Sequence, residues 1–412
     1  MRQNPLLYLN KGDGMELIIQ MGHNMRKLAL EHLEDFGNGT VIISPMNILP
    51  KSVKSFSDDV HKRKGNILID PQLYYPRKFQ KNLAKYSYWP QENYTVLESG
   101  QFDKVVQELA ALNKDILAEA FLLPSLITNK VDELWDKVQR SVIENAKQYA
   151  SGMRRIHTIA LSSDVVNDEI QVEKIISFVE KWDVDGIYIV CEHPERYYLV
   201  DKPLWVSNLM SLVAGIKRQH KRTIVGYASH QLLCMALAKC DAIASGNFLN
   251  LRWFQPEHFE TMEDNQISRR AVWYYCPQAL SEFKVPFLDI AKRMGLLDRM
   301  TPPEIMKNQY SEMLFGSGLP SSTGFGEKEA FRHYLFCLRK QCQSSARNSY
   351  KETMDAHLMM LKTAEQLLMG LGAKGIKGQD RDFTEILDVN RAAISAFDMA
   401  YQFSLSQEWL NL

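Results

Sequence analysis

The chain carries no net charge: 49 lysines and arginines balance 49 aspartates and glutamates over 412 residues. No global field gathers polyanions or anionic membranes, so any nucleic-acid surface must come from local segregation of charge. No apolar run approaches the ~20 residues of a membrane-spanning helix, so no membrane partner is expected. The opening MRQNPLLYLNKGDGMEL is interrupted by Lys11 and Asp13, which does not fit a secretory signal. The six cysteines (Cys191, Cys234, Cys240, Cys276, Cys337 and Cys342) include no CxxC pair. Structural zinc wants clustered Cys and His ligands, so no metal is expected. Reduced thiols in the cytoplasm are the expected state. No GxGxxG or GxxxxGKS/T follows any strand-like run, so the usual phosphate cradles are missing and no cofactor is expected. Internal repeats and low-complexity tracts are absent as well.

What is present is alternation. Short runs rich in β-formers recur at 40–45, 66–71, 116–124, 156–163, 186–192, 222–229, 241–246 and 271–276. They are apolar nearly throughout, as parallel strands covered on both faces are. Amphipathic helical patterns fill the intervals; DEIQVEKIISFVEKW places Ile170, Val172, Ile175, Ile176 and Val179 along one broad face. Eight strands with helices between them predict an α/β fold, a (β/α)8 TIM-like barrel over residues 1–276. A doubly wound open sheet is the rival, because βαβ repetition alone does not show closure. Beyond residue 276 the pattern turns helical, predicting an α-helical C-terminal region over 277–412.

Barrel enzymes keep their chemistry where strands exit into loops, and three exits here carry candidate residues. Asp70 follows an apolar strand and precedes Pro71; it reads as a catalytic carboxylate or as a turn former. CEHPERYY (191–198) is the densest polar exit. Glu192 and His193 are candidates for acid–base work, with the imidazole titrating near neutrality, and Glu195 and Arg196 for substrate contact. The alternative is a solvated loop whose charges pair among themselves. Around CDAIASGNFLNLRW (240–253), Ser245, Asn247 and Arg252 are candidate substrate contacts, with Trp253 as a stacking surface. His230, opening the preceding helix, is a further candidate. Finally, FRHYLFCLRKQCQSSARNSYK (331–351) holds Arg332, Arg339, Lys340, Arg347 and Lys351 with no acidic residue among them. That stretch is either a track for a phosphate backbone or the solvated face of a helix.

The ordered segments NILIDPQLYYP, TIALSSDVVNDEIQVEKIISFVEKWDVDGIYIVCEHPER and RTIVGYASHQLLCMALAKCDAIASGNFLNLR resemble the tRNA-guanine transglycosylase superfamily, including relatives acting on deazaguanine in DNA. The likeness covers roughly residues 40–255 and rests on order and spacing. It implies a barrel that flips a base into its mouth, one aspartate attacking the sugar and a second handling protons. Asp70 falls at the proton-handling position. The attacking aspartate falls near Ala244, which cannot attack, and neighbouring Ser245 has no adjacent histidine to activate it. The base-recognising aspartate falls near Leu123 or Pro124, and the family's zinc motif has no counterpart. The resemblance therefore implies tRNA or DNA as partner and glycosidic-bond chemistry in altered form. A non-catalytic barrel that binds nucleic acid or a protein in a larger assembly is the alternative, a small-molecule barrel enzyme unrelated to nucleic acid is a third reading, and a homo-oligomer stays open.

Overall fold

Eight short apolar segments define the centre of the molecule: β1 (Glu16–Gln20), β2 (Gly39–Ile43), β3 (Gly65–Ile69), β4 (Phe121–Leu123), β6 (Arg155–Leu161), β7 (Gly186–Cys191), β8 (Arg222–Val225) and β9 (Ala242–Ser245). A two-residue strand, β5 (Ile127–Thr128), adds to β6 beyond β4. The structure is a computed structural model that describes residues 14–76, 80, 82–90, 99–259, 271–316 and 318–412. Lys11 and Asp13, and the side chain of Arg196, lie outside the described residues.

All eight strands run parallel in the order β3-β2-β1-β9-β8-β7-β6-β4. The first and last of the set pair directly, with Leu17 opposite Ile243 and Ile18 opposite Ala244. At the remaining seam, between β3 and β4, the Glu119 amide donates to the Ile67 carbonyl at 2.9 Å. The chain is therefore a nearly closed (β/α)8 barrel. Its strands are buried almost end to end, which is why they read as continuous apolar runs.

The outer layer comes from α1 (Arg26–Phe36), α2 (Pro50–Lys62), α3 (Ser99–Asp115), α4 (Glu133–Tyr149), α5 (Ser163–Asn167), α6 (Glu169–Glu180) and α7 (Pro203–Lys217). Each turns an apolar stripe inward; in α2 it is Val53, Phe56 and Val60. Between β8 and β9 the connection is a 3-10 helix, His230–Ala238, whose nine residues are all buried. A segment apolar on every side needs cover from elsewhere.

That cover is the C-terminal region: α8 (Val285–Arg293), α9 (Gln309–Leu314), α10 (Glu327–Gln343), α11 (Tyr350–Gly372) and α12 (Ile386–Glu408). Helix α12 packs on α7 and on the 230–238 segment, α11 on that same segment, and α10 on β1 and α1. Among the described residues no helix is long and apolar enough to cross a membrane.

Two expectations are corrected. The run 271–276 is not a barrel strand. Its core, β10 (Trp273–Cys276), pairs antiparallel with β11 (Ser281–Lys284) in a separate hairpin, so the stretch from 277 onward that read as helix holds a strand before its first α-helix. The eighth barrel strand is β1, whose apolar stretch is only Leu17–Ile19.

One glycine is required by close approach. A Cβ on Gly226, just past β8, would stand 2.5 Å from the Tyr188 hydroxyl and 2.6 Å from its ring. Gly226→Ala is expected to lower stability by about 1–3 kcal/mol through overpacking, read as a shift in the urea midpoint.

Candidate functional site

Asp70 emerges from β3 into the mouth of the barrel with none of its surface exposed. Its Oδ1 accepts the Gln72 amide at 2.9 Å. The Tyr74 hydroxyl lies 2.8 Å from both carboxyl oxygens, and the Tyr227 hydroxyl donates to Oδ2 at 2.9 Å. The Tyr188 hydroxyl, 3.5 Å from Oδ2, donates to Gln20 Oε1 at 3.1 Å. Strands β1, β3 and β7 and the exit of β8 thus converge on one carboxyl group.

The backbone is bent to reach it. Gln72 has φ 55° and Tyr227 has φ 51°, a region disfavoured for any residue with a Cβ and most unusual for a bulky one. The Gln72 side chain fixes the arrangement, donating to Ser44 Oγ at 2.8 Å and accepting the Met46 amide at 2.9 Å. Above the carboxyl sit aromatic rings: Tyr74 lies 5.0 Å from Phe254 and 5.3 Å from Phe259, each edge-on. Burial raises the Asp70 pKa to about 6, against the opposing pull of hydrogen bonds from Tyr74, Gln72, Tyr227 and Tyr188.

Glu192 and His193 line a different space, a rim groove of about 680 Å³ between the exits of β6 and β7, with Asp164, Asn167, Glu195, Lys202 and Gln255. Glu192 accepts the Ser163 amide at 3.0 Å. His193 is 3% exposed. It packs edge-on against Trp205 at 5.2 Å, and burial lowers its pKa to about 4. The expected titration near neutrality is therefore corrected: desolvation keeps this imidazole neutral. Glu195, at φ 54°, pairs with Lys202 at 2.6 Å. Phe254 separates the two locations, bridging to Glu192 on one side and touching Tyr74 on the other. The catalytic trio expected from the sequence thus divides into a sealed carboxyl and a solvent-facing groove.

The remaining candidates lie where the barrel meets the C-terminal region. His230 is 1% exposed and packs at a tilt against Tyr275 and Phe383, ring centroids 4.9 and 5.7 Å apart. Ser245 is wholly buried. Asn247 holds the Phe248 amide at 2.9 Å through its own Oδ1. Arg252 is spent on packing. It donates to the Gly246 and Asn247 carbonyls at 3.0 and 2.7 Å and to Glu282 at 3.0 Å, its guanidinium 3.4 Å from the Tyr334 ring centroid. Glu282 also accepts Arg381 at 2.9 Å and the Tyr198 hydroxyl at 3.2 Å.

Most of the basic stretch is likewise engaged within the chain. Arg332 donates to Glu31 at 2.7 Å. Arg339 donates to the Asn38 carbonyl at 2.9 Å and lies 4.2 Å over Phe36, with the Lys340 ammonium 5.3 Å from that ring. Arg347 donates to the Ser344 carbonyl at 2.6 Å. Lys351 is exposed. Sequence reasoning missed Tyr74, Tyr188, Tyr227 and Glu282; the only available signal was tyrosine recurring within and just beyond the strand runs that carry the candidates. Among the described residues no group of three or more His, Cys, Asp or Glu side chains is placed to hold a metal.

No family model matches the chain. No curated protein matches it either. Among solved structures it is similar to XacCel5A in complex with cellopentaose, at 9% identity and TM-score 0.38, over 60% of this chain and 92% of that one. A xylanase (Xyn10A) from Cellvibrio japonicus gives 7% identity and TM-score 0.35, over 60% and 88%. A glucosidase from Croceicoccus marinus gives 7% identity and TM-score 0.33 over 52% of this chain, which spans about half, 54%, of that protein. Likeness at this level transfers no activity.

Proposed function

We propose that this chain is a binding barrel whose working surface is the rim groove, and that its partner is a protein segment rich in lysine or arginine. The observation that carries this reading is the state of Asp70. Its oxygens are already occupied by Tyr74, Tyr227 and the Gln72 amide, it has no exposed surface, and the resemblance drawn from the sequence puts its attacking position near Ala244, which carries no carboxylate. A nucleophile or proton carrier must reach its substrate, and this carboxyl is walled in. The groove is open and, among its described lining residues, net acidic, with Asp164, Glu192 and Glu195 against Lys202, a balance that suits a cationic partner.

The test uses a hexa-arginine peptide and short tRNA and DNA oligonucleotides as probes. The peptide is expected to bind, about 3- to 10-fold more weakly to the Asp164→Asn/Glu192→Gln variant, consistent with exposed charges worth about 0.2–1 kcal/mol each. No base release from either nucleic acid is expected. Peptide affinity unchanged by the double variant overturns the reading.

A second reading is glycosidic-bond chemistry on tRNA or DNA, in the manner of the transglycosylase superfamily that the strand-exit segments resemble. It is supported by a carboxyl with pKa about 6 at the resemblance's proton-handling position, beneath rings suited to stacking a base. It requires Tyr74 and Phe259 to swing aside. Base release abolished by Asp70→Asn would establish it.

A further inference from the structure

A second cavity, which shares no lining residue with the rim groove, has no part in either reading. It lies between the C-terminal end of α10, the first half of α11 and the β10–β11 turn, and holds about 580 Å³, the size of a site for one small organic molecule. We propose that it binds a small apolar carboxylate, an aryl- or alkyl-chain acid.

The wall is mostly apolar: Leu233, Pro277, Pro303, Met306, Met359 and Met360. Three of these are methionines, whose unbranched thioethers adapt to irregular ligands. Helix α11 presents Ala356, Met360 and Thr363 to the space, spaced so that one face of the helix meets a void instead of a neighbouring element.

Into this wall projects Arg347, the one cation among the described residues lining the cavity. One terminal nitrogen donates to the Ser344 and Ala346 carbonyls at 2.6 and 3.1 Å, which fixes the direction of the guanidinium fork. No carboxylate among the described residues forms an ion pair with it, although the Glu352 charge acts on it. A half-buried guanidinium with donors left over is built for bidentate capture of a carboxylate.

Glu352 and Asp355 also line the space, but both are exposed at its rim, where solvent screens them more than the partly desolvated arginine. His357 is 3% exposed and its Nε2 lies 3.0 Å from the Ser345 carbonyl. That contact places a hydrogen on Nε2, and burial lowers the ring's pKa to about 4, so near neutral pH the imidazole carries no charge.

Isothermal titration calorimetry of 4-phenylbutyrate, 4-phenylbutanol and 4-phenylbutylamine against the full chain separates the contributions of body and head group. The acid is expected to bind at least tenfold more tightly than the amine, with the alcohol between. Arg347→Gln is expected to weaken the acid at least fivefold while changing the alcohol less than twofold. Met360→Trp, which fills the void, is expected to abolish binding of all three. The proposal is overturned if the amine binds best, if the wild-type chain binds none of them more tightly than millimolar, or if Arg347→Gln leaves the acid's advantage intact. The wild-type ranking alone decides the matter if either variant does not fold.

Discussion

Replacing Glu282 with alanine is expected to cost about 3–5 kcal/mol of stability, the usual penalty for removing one partner of a buried ion pair. Glu282 and Arg252 are 3% and 2% exposed, and Arg381 closes the triad at 16%. The carboxylate alone offsets Arg252, a guanidinium that stays charged at any accessible pH. With it gone, Arg252 keeps its two carbonyl partners and the Tyr334 ring, but has no counter-charge in a dry interior. Equilibrium urea unfolding of the two chains measures the difference; a loss below 1 kcal/mol would mean that water or a rearranged side chain replaces the carboxylate.

The same group predicts acid sensitivity. Burial by itself would raise the Glu282 pKa, but Arg252 and Arg381 outweigh it and hold it below the ordinary 4.5. A carboxyl depressed in the fold contributes stability above its unfolded pKa and loses it as pH falls through the folded value. The wild-type chain should therefore weaken below pH ~4.5 through this group, and Glu282→Ala should lack that component.

Asp70 works in the opposite sense, and its expected effect is the second largest. Its pKa is raised from 3.8 to about 6, so the folded state holds a proton that the unfolded chain has already released. The contribution is complete below pH 3.8 and is lost as pH rises through 6. The loss amounts to about 3 kcal/mol in all, most of it between pH 4 and 7. Asp70→Asn mimics the protonated form, because an amide accepts through Oδ1 and a tyrosine hydroxyl can turn to accept from Nδ2. The variant is expected to gain on the wild type steadily across that interval. Because both chains carry Glu282, the difference between their unfolding curves isolates Asp70. A gap that stays constant with pH would mean that the carboxyl is ionised throughout, its tyrosine donors outweighing burial.

Legibility in the sequence followed the range of the interaction. Seven barrel strands were readable because burial on both faces makes a parallel strand apolar at every position. β1 was missed because Leu17–Ile19 is too brief a run to stand out beside Lys11 and Asp13. β10 was misplaced because an apolar run does not declare whether its neighbour is parallel or antiparallel.

In the candidate site, Asp70 was visible as a carboxylate at a strand exit. Two of its partners, Tyr188 and Tyr227, lie 118 and 157 residues further on, and no local pattern announces them. Arg252 was flagged for its chemistry, but the partner that consumes it, Glu282, lies 30 residues away in the hairpin. The 331–351 stretch reads as one-signed because Glu31 and Asn38, which take up Arg332 and Arg339, are each 301 residues earlier. Segregation along a sequence is not segregation in space.

The buried connection between β8 and β9 has a bearing on how the molecule is made. Its nine residues leave the ribosome well before α11 and α12, the helices that shield them and that follow far downstream in the chain. During that interval an uncovered apolar segment meets water and other nascent chains, so the hazard in this protein's biogenesis lies in the wait for helices encoded far downstream.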